Sequence, residues 1–336
     1  MPNRVSMSDV ARQAGVSLMT VSRVINHKED VNPATRQRVQ QIIKEMGYHP
    51  SDIARSLATR RTRTIGLVVP DVSNPFFADI TRGIEAVAYA RGYHVFLCNT
   101  EENPEREMSV IQSLEEKRVD GLILCSSRIE DSTLVELIKR MPAVVLVNRQ
   151  LDGGASSDYQ SIFLDDELSG ELATRHLIKS GNKNIGFLAG PVSSYSGMGR
   201  KKGYLKAMQQ AGIDIDPCWI SHCHPTVDGG HQAALQLIRK CEQLTAIFCY
   251  NDLVAIGALQ ACAELGRKVP AQMAIVGHDD IPIAAWVSPA LTTCRVLRQD
   301  LGAQAVQALL DSMNNCPSGC AQIILNSELI IRQSAP

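Results

Sequence analysis

From Thr64 onward the chain repeats one pattern: a short, continuous apolar run, then a stretch of helix length. Ile65-Gly66-Leu67-Val68-Val69 is the first run, and an amphipathic helix from about Phe76 to Arg91 follows it. Val95–Cys98, Leu122–Cys125 and Val144–Val147 continue the series. Uninterrupted apolar runs mark strands buried on both faces, and a helix between successive strands makes their pairing parallel. A second series repeats the first through Ile162–Leu164, Ile185–Ala189, Ile220–Cys223, Ile247–Cys249 and Ala274–Val276. The pattern predicts two parallel α/β lobes, the first about 63–161 and 294–322, the second about 162–293 and 323–336. Thr292-Thr293 and a last helix, about Arg298–Met313, are expected to return to the first lobe, and Ile323–Ile331 to close the second. A length of 336 residues fits more than one core.

Composition narrows the class. Hydrophobic residues at 45% and charged residues at 21% exclude a disordered chain. No apolar run reaches the ~20 residues of a membrane span. The opening MPNRVSMSDVARQAGVS lacks the apolar core of a secretory signal, so a cytoplasmic location is expected. The ten cysteines are scattered, with Cys98, Cys125 and Cys249 inside apolar runs, which suits a reducing compartment. The net charge of −1 hides an asymmetry: residues 1–63 carry 11 Lys+Arg against 5 Asp+Glu, the rest 23 against 30. A basic head on an acidic body suits a polyanionic partner, although a solvated surface can carry the same charge.

Local signals give the head its shape. Met7–Ala14 reads as a helix with Val10, Ala11 and Ala14 on one face, Gly15 supplies a turn, and Ser17 is an N-cap for a helix from Leu18 to about Asn26. The inward face of that second helix is Val21, Val24 and Ile25. Asn32 as N-cap, Pro33 at the first helical position and Gly47 past the end bound a third helix, with Val39, Ile42, Ile43 and Met46 at helical spacing. Two short helices around a glycine turn, braced by a third, describe a helix-turn-helix, a pattern shared with small units that bind no DNA.

The run Ser8-Asp9-Val10-Ala11-Arg12-Gln13-Ala14-Gly15-Val16-Ser17, followed by Thr20-Val21-Ser22-Arg23-Val24-Ile25-Asn26, resembles the head of the LacI/GalR repressor family. Val31-Asn32-Pro33-Ala34-Thr35-Arg36, Met46-Gly47-Tyr48-His49-Pro50 and Ala54-Arg55-Ser56-Leu57-Ala58 continue the likeness in order. The resemblance implies a head over 1–50, a hinge helix and linker over 51–62, and an effector-binding and dimerisation domain over 63–336. It also implies base reading by Leu18, Met19 and Arg23, and backbone contacts from Ser17, Thr20, Ser22, Asn26, Asn32, Thr35 and Tyr48. Arginine can pair bidentately with guanine, whereas Leu18 and Met19 offer only apolar contact, for example to a thymine methyl. Met19 could instead fill a gap in the head. Asp30, where relatives often carry a neutral or positive residue, is a departure expected to weaken one backbone contact. In the family, the segment matching Ser51–Thr59 folds on DNA and wedges a leucine into the minor groove; Leu57 stands at that place with Ala58 beside it.

In the body, polar and aromatic residues cluster just after strands, where open α/β sheets bind ligands. These are Asn74-Pro75-Phe76-Phe77, Asn148-Arg149, Asn251-Asp252 and Asp279-Asp280, with Arg200 opening a helix that leads to Gly203-Tyr204. The body resembles the periplasmic sugar-binding fold as well as the repressor core. By that resemblance Asn74, Phe76, Phe77, Asn148, Arg149, Arg200, Asn251 and Asp279 hold a small sugar, with Asp165 a weaker candidate. Helix capping is the competing role for Asn251, Asp252 and Asp279, and Asp252 and Asp280 are expected to face away. Pro225 replaces a common stacking aromatic and Val296 a common hydrogen-bonding group, which leaves the effector's identity open, with a purine or nucleoside as the alternative to a sugar.

Adjacent side chains on a strand point to opposite faces, so His222-Cys223-His224 is not expected to hold a metal. Gly153-Gly154 and Gly229-Gly230 read as loop or helix-start glycines, and neither a phosphate-binding loop nor a nucleophile motif stands out. The expected protein is no enzyme and uses no cofactor. By the resemblance it is expected to be a homodimeric transcriptional regulator, a repressor, that binds operator DNA under the control of a sugar. With the chain ending about five residues after Leu329-Ile330-Ile331, no heptad tail for tetramers is expected. A solute receptor and a sugar-metabolising enzyme are the rivals, opposed by the basic head and the missing catalytic motif.

Overall fold

Ser6 begins the first helix with a reciprocal cap: its Oγ accepts the Asp9 N–H at 3.3 Å, and the Asp9 carboxylate accepts the Ser6 N–H at 3.0 Å. That helix, α1 (Met7–Ala14), ends at Gly15, whose φ of 60° lies in the left-handed region. Ser17 accepts the Thr20 N–H at 3.1 Å and starts α2 (Leu18–Ile25). Asn32 accepts the Ala34 N–H at 2.9 Å ahead of α3 (Pro33–Glu45). Val10, Val21, Val24 and Val39 are buried together, with Ile25, Ile42, Ile43 and Met46 half-buried around them. The expected head helices and their inward faces are therefore present.

The computed structural model describes residues 5–26, 28–48, 61–151, 159–314 and 322–336. Two units divide between Arg63 and Thr64. Leu57 and Ala58, the expected minor-groove residues, lie outside the described residues, as do Gly153 and Gly154.

The second unit contains β1 (Thr64–Val69), α4 (Pro75–Ala90), β2 (His94–Asn99), α5 (Pro104–Glu116), β3 (Gly121–Cys125), α6 (Asp131–Ile138), β4 (Val144–Val147) and β5 (Gln160–Leu164). It continues through α7 (Asp166–Lys179), β6 (Ile185–Ala189), α8 (Tyr195–Gln210), β7 (Ile220–His222), α9 (Val227–Lys240), β8 (Ala246–Cys249) and α10 (Asp252–Glu264). The remaining elements are β9 (Ala274–Asp279), β10 (Thr292–Arg295), α11 (Arg298–Met313), β11 (Gln322–Leu325) and β12 (Glu328–Ile330). One six-stranded sheet has the order β11-β5-β4-β3-β1-β2, the other β12-β10-β9-β8-β6-β7. Pairing is parallel except where β12 meets β10.

The two lobes stand, but three segments sit differently from expectation. Ile162–Leu164 pairs with β4 and β11 and belongs to the first sheet, not the second. Thr292 and Thr293 pair with Val276 and Gly277 in the second sheet, so the return to the first lobe begins after Arg295, and only α11 makes it. The Ile323–Ile331 region splits, with β11 in the first sheet and β12 in the second. Apolar runs report burial, and both sheets bury their strands equally, so the pattern carries no information on which sheet receives an edge strand.

Close helix pairs cover the sheets. A Cβ on Gly83 of α4 would lie 2.1 Å from the Gln299 carbonyl oxygen of α11, and one on Gly302 of α11 2.2 Å from that of Ile80. The α7–α8 and α9–α10 pairs repeat the device through Gly170 with Gly203 and Gly230 with Gly257. Gly229-Gly230 thus lies in the first turn of a helix, where Gly230 lets another backbone approach.

Candidate functional site

The first site is the outer side of α2. Leu18 and Met19 are 50% and 63% exposed at the start of this helix, although both are large and apolar. Met19 is therefore not filling the head's interior. Ser17 Oγ lies 3.0 Å from Thr20 Oγ1, and Asn26 Nδ2 donates to the Ser22 carbonyl at 2.9 Å, which orders the polar side chains beside them. Arg23 pairs with Asp30 at 3.2 Å, so Asp30 acts on an expected base-reading side chain as well as adding negative charge. Asn32 is exposed and Thr35 half-buried at the start of α3, while the Tyr48 ring is buried in the head core.

The second site lies where the two sheets' carboxyl ends meet, in a narrow cleft between the lobes. Asn74, Phe76, Phe77, Glu102, Ser126 and Asn148 line it from the first lobe. Ser196, Arg200, Pro225, Tyr250, Asn251 and Asp279 line it from the second. Asn74 caps α4 through the Phe76 N–H at 3.0 Å, and Asn251 caps α10 through the Val254 N–H at 2.9 Å. Capping and cleft lining are thus combined in the same residues. The Phe76 and Phe77 rings meet edge to face at 5.1 Å.

Two expected effector residues stand elsewhere. Arg149 turns to the Asp131 carboxylate and the Ile129 carbonyl, the latter at 3.0 Å, and lies under the Tyr195 ring of the second lobe. Asp165 caps α7, its Oδ1 accepting the Leu168 N–H at 2.8 Å. Its neighbour Asp166 is the buried partner of Arg200, whose Nε donates to it at 2.8 Å. Arg200 lies in the second turn of α8, one turn later than a helix-opening position, and also donates to the Tyr250 carbonyl. Asp252 faces away from the cleft, taking the Thr293 hydroxyl at 2.6 Å and the Ile281 N–H at 2.9 Å. Asp280 pairs with Arg295 and Arg332, each at 2.7 Å. Val296 is buried at the crossing between lobes.

Strand ends also supply lining residues that the sequence analysis did not name. Ser126 and Tyr250 directly follow β3 and β8, so the signal for them was present. Glu102 follows β2 through a turn, and Ser196 and Asp166 sit inside helices, where no local signal distinguishes them.

Burial shapes the electrostatics. It opposes the Arg200 charge, but Asp166, Asp279 and Tyr250 outweigh it and hold the guanidinium above its ordinary pKa. Burial, reinforced by the Asp279 charge, pushes the Asp252 carboxyl well above the usual carboxylate range. His278 is held below its ordinary value by burial and by Arg200. Burial also pushes Cys125 and Cys294 up to about 12, leaving them protonated core thiols. Among the described residues no group of three His, Cys, Asp or Glu side chains could hold a metal ion, and no helix is long and apolar enough to cross a membrane.

A helix-turn-helix unit joined in one chain to a two-lobed core with an inter-lobe cleft defines a ligand-binding DNA regulator. Residues 6–51 match the bacterial regulatory proteins of the lacI family, and residues 62–332 match the periplasmic binding proteins and sugar binding domain of the LacI family. The HTH-type transcriptional repressor PurR of Pasteurella multocida is 37% identical over 331 residues, covering 98% of each chain. A lac repressor dimer bound to operator and the anti-inducer ONPF superposes with a TM-score of 0.89 at 27% identity, covering 99% of each chain. A transcriptional regulator CelR–cellobiose complex superposes with a TM-score of 0.75 at 30% identity, covering 98% of this chain and 100% of that one. The chain belongs to the lacI family and is a DNA-binding transcriptional repressor, not an enzyme.

Proposed function

We propose that the protein binds operator DNA as a homodimer and that a small sugar or sugar derivative in the cleft sets its operator affinity. The observation that carries the sugar reading is the cleft's unmet hydrogen bonding. Asn148 Oδ1 and Ser196 Oγ, on opposite lobes, are buried without hydrogen-bond partners among the described residues. Asn251 and the Asp279 carboxylate stand in the same lining, beside the apolar Phe76 and Phe77 rings. A polyol offers hydroxyls, each donor and acceptor, together with an apolar C–H face, and so matches both features. The cellobiose held by the CelR relative supports this reading.

A purine or nucleoside is the second reading, favoured by the likeness to PurR and by aromatic rings able to contact a base. The dimer is supported by the lac repressor likeness and by the apolar exposure of Phe96 and Leu97 on β2, the terminal strand of the first sheet. In operator contact, Leu18, Met19 and Arg23 read bases, and the hydroxyls and amides around them hold phosphates. Leu57 and Ala58 serve the minor groove.

Thermal shift across monosaccharides, sugar phosphates and purines tests the effector, since a ligand of the native state raises Tm. The sugar reading expects a shift with a sugar that Asp279→Asn removes while operator binding without ligand persists. A shift with purines alone overturns it.

A further inference from the structure

We propose that the Glu102–Arg128 pair makes the cleft selective for uncharged effectors and closes it to anionic ones, phosphorylated sugars among them. This rests on the reading of the cleft as the effector site. Arg128 follows β3 with its side chain 3% exposed, and its Nε donates to Glu102 Oε2 at 2.5 Å. Tyr250 on the opposite lobe also favours the Arg128 charge electrostatically. Glu102 itself forms part of the cleft lining. A buried guanidinium just behind the lining of a ligand cleft would ordinarily be an anchor for phosphate or carboxylate. Here Glu102 already occupies that role.

The same matching extends around the site. Arg200 is held by Asp166, and Arg149 by Asp131. These three arginines are each matched by a carboxylate, and Asp279 adds a further negative charge to the lining. His278, bonded to Asp279 at 3.0 Å, does not offset that charge because burial and Arg200 disfavour its protonation. An entering phosphate would therefore lose its hydration without gaining an uncommitted cation, and removing an ion from water uncompensated is strongly unfavourable. A neutral hydroxyl meets no such barrier and can donate to the partnerless Asn148 Oδ1 or satisfy Ser196 Oγ. The phosphoryl group of a phosphomonoester dianion has no proton to donate to Asn148.

The test uses the full chain and its Glu102→Gln variant, which keeps the shape and removes the charge that neutralises Arg128. Inorganic phosphate, titrated against KCl at matched ionic strength, is the first probe, read by thermal shift and calorimetry. Phosphate is expected to leave the wild type unshifted and to bind the variant at least tenfold more tightly. D-galactose, D-glucose and D-ribose are then compared with their phosphates, and adenosine and guanosine with their 5′-monophosphates. Whichever uncharged member binds the wild type should bind at least tenfold more tightly than its phosphate, and Glu102→Gln should narrow that gap. Equal wild-type binding of the two forms, or a variant that gains nothing for phosphate, overturns the filter. A nucleoside that binds where no sugar does overturns the sugar reading while leaving the filter to the phosphate comparison. Circular dichroism and the ligand-free Tm show whether the variant is folded.

Discussion

Arg23 Nη1 lies 3.2 Å from an Asp30 carboxylate oxygen, with both side chains at least half exposed. The side chain proposed to read a base is thus held by a competing anion on its own head. An exposed pair of this kind contributes only about 0.2–1 kcal/mol, so DNA can break it.

Asp30→Asn should accordingly tighten operator binding by a few-fold and tighten non-specific binding as well, because it removes a repulsive charge near phosphate. Arg23→Ala should instead lose preference for operator over scrambled DNA, by roughly 1–3 kcal/mol if Arg23 makes a bidentate base contact. Fluorescence anisotropy on both DNAs at several salt concentrations separates the two effects. An unchanged operator-to-scrambled ratio in Arg23→Ala would remove that residue from base readout.

Arg200→Ala removes the partner of Asp166, which is itself 6% exposed. Breaking a buried pair leaves an uncompensated charge and typically costs about 3–5 kcal/mol. The variant should therefore unfold at lower urea with or without effector, so loss of ligand response in it is not a clean test of the site. Replacing both residues, as Arg200→Met with Asp166→Leu, should recover much of the loss. A single variant as stable as wild type would show that the pair contributes little.

Much of this architecture was legible because local and global signals agree. Ser17 and Asn32 cap where capping residues were expected, Val10, Val21 and Val39 fill the head's interior, and seven of the nine candidate effector residues converge on one cleft. The failures have a common cause. Asp165 and Asp166 are chemically identical neighbours, and only the placement of α8 decides that Asp166 meets Arg200. Arg149 follows its strand as Asn148 does, yet Asp131, eighteen positions away, draws it aside. Ile162 carries the same apolar signal whichever sheet receives it. Contacts between elements distant in sequence settled each of these, and a single sequence leaves no local trace of them.

Gly83 and Gly302 bring α4 and α11 into backbone contact, and these are helices whose crossing the sequence did not reveal. Gly83→Ala would place a methyl carbon 2.1 Å from the Gln299 carbonyl oxygen, which cannot rotate away as a side chain could. Overpacking of this sort costs typically about 1–3 kcal/mol despite alanine's better helix propensity. Urea unfolding should show the loss, whereas Gly181→Ala, at a left-handed turn with open space around it, should lose only what its backbone strain costs. A neutral or stabilising Gly83→Ala would mean the two helices are free to separate.

His278 couples pH to the cleft. It is fully buried, and its Nδ1 lies 3.0 Å from Asp279 Oδ1 while its Nε2 lies 3.0 Å from Ser169 Oγ. An ionised Asp279 can only accept, which assigns the proton of neutral His278 to Nδ1 and leaves Nε2 facing the Ser169 hydroxyl, which also donates to the Asp166 carbonyl at 3.0 Å. Burial and then Arg200 lower its pKa in the folded protein, so as pH falls the unfolded chain takes up this proton before the folded one does. The His278 contribution to stability is therefore present above about pH 6.5, the unfolded value, and declines as pH falls toward the lower folded value. One such proton changes unfolding free energy by at most about 1.4 kcal/mol per pH unit. Urea unfolding from pH 7.5 to 5 should show this slope, and His278→Gln should flatten it by about that amount. Effector binding should change over the same range, because protonation makes Nε2 a donor to Ser169 Oγ and adds a positive charge beside the cleft-lining Asp279. An identical pH slope in wild type and His278→Gln would place the titration elsewhere in the protein.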